Sequence, residues 1–179
     1  MRRMIASTRW AACLAVLVAG LALGVAFAVE DWGGIVPCAL CLWERWPYRM
    51  MLILGGVALL LPSGSARIVL ALAVVVTLAG AGLSFVHVGV EQGWWPSPLP
   101  ECAAPAFHGG GIAERLARMP AVPAKPCDDG TYLLPALPLS MAAMNLLYAL
   151  AAALGLAICV ARTRRRPDEH YPSWRPAAR

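Results

Sequence analysis

Four cysteines in this 179-residue chain have neighbours suited to thiol chemistry, and they fall into two pairs. The first is Pro37-Cys38-Ala39-Leu40-Cys41. Two cysteines separated by two residues close a short, readily opened ring, a spacing that recurs where disulfides are exchanged. The same spacing also serves a static staple or half of a metal site. Arg45 follows Cys41 by four residues, one turn away on a helix. A helix start offers unpaired amides and a partial positive charge, and a guanidinium adds a full one. Together they favour a thiolate at Cys41, the form that attacks disulfides. Pro47 is tolerated in a first turn but kinks a helix interior, so the expected start is near Glu44, with Cys41 just ahead of it.

The second pair, Cys102 and Cys127, lies in the long segment 91–138. Loops of this length are functional or disordered. Ile112, Leu116 and Met119 recur at helical spacing among Glu114, Arg115 and Arg118, which predicts a short amphipathic helix on a membrane surface. Three glycines (109–111) make a hinge, and Pro120, Pro123 and Pro126 make stiff connectors. A disulfide between Cys102 and Cys127 would sit on a mobile tether, a poor design for stability and a good one for exchange. A loop staple remains open, as does zinc held by all four thiolates, although this pair lacks the close spacing of common zinc sites. No metal is expected. Leu42 after Cys41 excludes the C-x-x-C-H signature of covalent haem.

The elements that must position these residues are membrane helices. The chain is 60% hydrophobic and only 14% charged, more apolar surface than a soluble domain of this size can bury. Four runs are candidate spans: Ala11 to Val29, Trp46 to Pro62, Ile68 to Val90 and Leu139 to Ala161, the second being short. They predict an all-α membrane protein, a four-helix transmembrane bundle with outer loops at 30–45 and 91–138, the latter carrying the amphipathic helix. The first run ends in Ala26-Phe27-Ala28, which resembles a signal-peptide cleavage site, but it is longer than a signal core and reads as a retained helix.

With both termini cytoplasmic, the inside segments hold ten arginines against Asp168 and Glu169. The outside segments hold Arg45, Arg49, Arg115, Arg118 and Lys125 against eight acids. Cytoplasmic enrichment of arginine and lysine sets orientation, so both cysteine pairs face the oxidising outer compartment. The basic tail 162–179 suits anionic head groups at its start and then reads as disordered, so the positive charge calls for no nucleic acid. Cys13 and Cys159 lie within spans and read as small apolar packing residues. Trp32, Trp43, Trp46, Trp94 and Trp95 form an interfacial aromatic belt, with Trp43 and Trp46 also candidates to line a pocket. His87 is ionisable within a span, a functional position by default, and His108 beside the loop glycines reads as solvated.

Cys38-Ala-Leu-Cys41-Leu-Trp-Glu-Arg45 resembles the C-x-L-C-x-x-x-R signature of the disulfide bond formation protein B family, DsbB. Trp95-Pro96-Ser97-Pro98 ahead of Cys102 is similar to the approach to that family's second loop, and Leu139-Ser140-Met141 to the start of its last span. The resemblance covers all four spans. It implies a bacterial inner-membrane protein that reoxidises a periplasmic thioredoxin-like DsbA-type oxidase and hands the electrons to ubiquinone or menaquinone. By the same resemblance, Cys102 takes the partner's thiolate with Cys127 as resolving mate, and Cys38 exchanges with that loop pair. Cys41 becomes the thiolate against the quinone ring, Arg45 stabilises it, and His87 either contacts the quinone or makes an interfacial hydrogen bond. Two other functions fit the residues: a vitamin K epoxide reductase-like quinone and thiol oxidoreductase, and a non-enzymatic membrane protein with two structural disulfides.

Overall fold

The apolar runs between the prolines and glycines become four α-helices: α1 (Arg2–Asp31), α2 (Ala39–Leu60), α3 (Ser63–Glu91) and α4 (Met141–Arg164). A 3-10 turn, Pro100–Cys102, precedes the second loop. The structure is a computed structural model describing residues 2–102, 111, 125–133 and 138–164. No strand occurs among the described residues. The amphipathic stretch 112–119, His108, most of the glycine hinge and the tail beyond Arg164 lie outside them.

The helices pack in a closed ring, α1 on α2, α2 on α3, α3 on α4 and α4 back on α1. Ala11, Ala12, Ala15 and Ala19 of α1 meet Met51 and Ala58 of α2, Leu70 and Ala73 of α3, and Ala149 and Leu156 of α4 in one core. Small side chains let helix backbones approach closely, which replaces the hydrophobic drive that lipid does not supply. Three helices are long and apolar enough to cross a membrane: Ser7–Asp31, Ser63–Glu91 and Met141–Thr163. The fourth, α2, carries Glu44, Arg45 and Arg49 in its first half.

α2 starts at Ala39, a full turn earlier than the proline suggested, so Pro47 lies inside it. Two contacts make that possible. Cys38 caps the helix, its sulfur accepting the Cys41 amide at 3.3 Å. Gly80 on α3 leaves room for the proline ring, since a Cβ there would come within 2.8 Å of Pro47. Neither contact is local to the proline. Cys41 therefore stands within the first turn.

Candidate active site

Cys38, as the cap of α2, is 4% exposed and lies in one packed cluster with Cys102 and Cys127. Those two are joined in a disulfide. Trp95 helps to hold this corner: its indole N–H donates to the Val86 carbonyl at 3.0 Å, and its ring lies directly over Gly89, where a Cβ would fall 2.0 Å away. The loop pair is thus buried. Leu40, Val90, Trp95 and Leu99 complete its surroundings.

The first pair is unbonded, its sulfurs 2.9 Å apart and sharing a hydrogen bond. His87 on α3 brings Nε2 to 3.5 Å from the Cys38 sulfur. Its Nδ1 lies 2.9 Å from Oε1 of Glu44. Because a carboxylate can only accept, Nδ1 is the donor there and Nε2 is left to exchange a proton with Cys38. The hydrogen bond from Cys41 pulls the Cys38 thiol down to about 4; burial opposes this, and the contacts with His87 and the Cys41 amide add to it. The positive end of α2 therefore serves Cys38, where sequence reasoning assigned it to Cys41. Sulfur, imidazole and carboxylate in this order form the nucleophile–base–orienter arrangement of thiol catalysis.

Behind this trio lies a polar network within helices that are otherwise apolar. Oε2 of Glu44 accepts from Nδ2 of Asn145 at 2.9 Å, and Nδ2 also reaches Ser84 Oγ at 2.8 Å. The Tyr48 hydroxyl donates to Asn145 Oδ1 at 2.7 Å. Ser84 in turn donates to the Gly80 carbonyl. On the other side of the imidazole, Glu91 Oε1 stands 4.0 Å from Nε2, and its second oxygen accepts from Ser140.

Cys41 looks the other way. It lines a cavity of about 330 Å³ between α1, α2 and α4, walled by Leu21, Val25, Val29, Met141 and other apolar side chains. Glu44, Arg45, Tyr48, Asn145 and Tyr148 contribute its polar atoms. Arg45 pairs with Glu30 at 2.6 Å and stacks over Phe27 at 5.0 Å. His87 is not among the lining residues; it sits on the Cys38 side. Trp43 and Trp46 also face outward, away from the lining.

A family model described as "Disulfide bond formation protein DsbB" matches residues 8–159. The chain belongs to the DsbB family. Neither the curated proteins nor the solved structures contain a match. With three membrane-length apolar helices, this DsbB-family member is a multi-pass membrane oxidoreductase of disulfide-bond formation.

Of the residues singled out from sequence, the structure gathers Cys38, Cys41, His87, Cys102 and Cys127 at one end of the ring, with Arg45 on the cavity wall. Glu44 and Asn145 were missed. Asn145 had a signal: an amide inside the apolar run from Met141 to Val160 is costly unless it has partners.

Proposed function

We propose that this DsbB-family protein takes electrons from a periplasmic, thioredoxin-like oxidase of the DsbA type and relays them through its two cysteine pairs to a membrane quinone. The observation that carries this reading is the two-sidedness of the first pair. Cys38 packs with the loop disulfide, whereas Cys41 opens onto an apolar cavity.

The relay balances at each step. The partner's dithiol reduces Cys102–Cys127 and becomes a disulfide. The loop dithiol then reduces a Cys38–Cys41 disulfide, with Cys38 attacked and Cys41 leaving. Finally the reduced pair gives up two electrons and two protons and closes again. A joined loop pair beside an open first pair corresponds to the stage at which electrons have moved inward. Attack on the buried Cys102 requires the partner to lift the segment around the Pro100–Cys102 turn.

When bound, a quinone supplies a two-electron acceptor of high enough potential to keep a strongly oxidising partner oxidised. The cavity fits such a ring, since its walls are largely aliphatic and Cys41 lines it together with a few polar groups. Cys41, Arg45, Tyr48 and Tyr148 would hold it. Within the chain, the Cys38 thiolate takes the Cys41 proton as Cys41 becomes the nucleophile, and His87 Nε2 receives it in turn. Glu44 holds the imidazolium that results. The Arg45 guanidinium on the cavity wall favours negative charge beside Cys41.

The same reading makes all four helices spans, with both termini cytoplasmic and the cysteines on the periplasmic face of a bacterial inner membrane. The arginine distribution and the exposed Trp32, Trp43, Trp46 and Trp94 support that orientation. The test is purified protein with ubiquinone or menaquinone and a reduced DsbA-type partner. Quinone absorbance should fall in step with partner thiols, and intact quinone after full mixing would end the proposal.

A further inference from the structure

Among the described residues, Asn145 is the one that ties α4 to the cysteine chemistry of α2 and α3 at once. Its amide has two donor hydrogens and one acceptor oxygen, and all are engaged. One N–H meets Glu44 Oε2, the other meets Ser84 Oγ, and the oxygen takes the Tyr48 hydroxyl. The amide's orientation is fixed by chemistry, because a carboxylate opposite Oδ1 would set two acceptors against each other. Glu44 has one oxygen on Asn145 and the other on His87 Nδ1. Rotating the carboxylate to improve one contact breaks the other. The imidazole that faces Cys38 is therefore aimed by a clamp two bonds removed.

We propose that Asn145 is a positioning residue of the relay: it locks the Glu44 carboxylate against His87 and so keeps His87 Nε2 on the Cys38 sulfur. The proposal deepens the function given above and rests on it only for its biological use, since the reactivity of Cys38 is measurable without quinone or partner. Helix-to-helix amides also act as simple glue in membranes. Glue and clamp make different predictions. Glue contributes stability alone, whereas a clamp sets how Cys38 responds to pH. The groups that face the Cys38–His87 contact are Cys41 and Glu44 from α2, Glu91 from α3, Ser140 just ahead of α4 and Asn145 within it. The Arg45–Glu30 pair joins α2 to α1 nearby.

The experiment is alkylation of the reduced full chain by iodoacetamide across pH, read by mass spectrometry on the peptide holding Cys38. Asn145→Leu keeps the branching and heavy-atom count of the side chain and removes the clamp. The midpoint of Cys38 alkylation should move up by about one unit, so that the rate near pH 4 falls about five-fold while the rate above about pH 7 stays unchanged, the scale of a lost hydrogen bond to a charged group. Tyr48→Phe frees only the amide oxygen and should move the same profile in the same direction by a few-fold. It also keeps the question answerable if Asn145→Leu does not fold. Wild-type profiles in both variants, with a lowered melting temperature, would make Asn145 glue and overturn the proposal. Failure of the function reading would show elsewhere, as a wild-type protein that oxidises no DsbA-type partner while its Cys38 profile still depends on Asn145.

Discussion

Cys38, Cys102 and Cys127 are buried and Cys41 is half-buried, yet the two pairs are held by opposite means. Cys38 and Cys41 sit at a helix start, where an imidazole, carboxylates and an amide from three helices surround the sulfurs. Cys102 and Cys127 are packed among Leu40, Val90, Trp95 and Leu99, with a 3-10 turn on one side and a short turn at 127–129 on the other. The first environment manages protons, and the second manages access. The proposed relay would need both, because electrons would leave from the pair that has charge control and enter through the loop pair.

That contrast is broken most completely at the sulfurs. Cys41→Ser should reduce quinone turnover by about a thousand-fold or more, since the thiolate is the reacting form and a hydroxyl does not replace it. The same variant should still exchange its loop disulfide with a reduced partner. Cys127→Ser should do the reverse, accumulating a mixed disulfide through Cys102 that survives on a non-reducing gel. Next in size, His87→Gln should slow closure of the first pair by about a hundred-fold at neutral pH, the usual worth of a positioned acid–base group. Stopped-flow with the loop step followed separately would show whether the loss stays with the first pair.

A third expectation is a pH profile. Because the Cys38 thiol is pulled down to about 4, it is anionic above that value and protonated below it. Its alkylation rate should therefore stay nearly flat from about pH 8 down to about pH 5, whereas an ordinary thiol loses about ten-fold per unit below its value near 8.5. A steep fall beginning at pH 8 would mean that the polar network does not govern Cys38. The smallest effect belongs to the access side. Gly89→Ala must displace the Trp95 ring and should cost about 1–3 kcal/mol, the scale of overpacking. It should speed partner attack on Cys102 while leaving the pH profile of Cys38 unchanged.

Much of the site was legible because thiol chemistry announces itself by spacing. Cys38-x-x-Cys41 with Arg45 one turn on, and a second pair in a long loop, need no coordinates to suggest exchange. The apolar runs likewise gave four helices in the observed order. What escaped was long-range. Asn145 meets Glu44 across 101 residues and Tyr48 across 97, so its role has no local signature beyond an amide in an apolar run. Glu44 was read as the start of a helix, since nothing near it in sequence says that His87 lies against it, 43 residues on. The early start of α2 depends on Gly80, a residue of another helix. The assignment of the thiolate to Cys41 followed from the helix end and from Arg45, whereas the cap geometry turns the Cys41 amide onto Cys38 and Arg45 pairs with Glu30.

The cap has a mechanical side. The Cys38 sulfur that would carry electrons in the proposed relay also closes the first turn of α2 by accepting the Cys41 amide. Whenever that sulfur swings to the loop, the turn loses its stopper, at a cost of about 0.5–2 kcal/mol for a missing helix cap. Occupancy of the exchange intermediate is thereby written into the winding of a membrane helix, which unlatches as the sulfur departs and relatches when it returns.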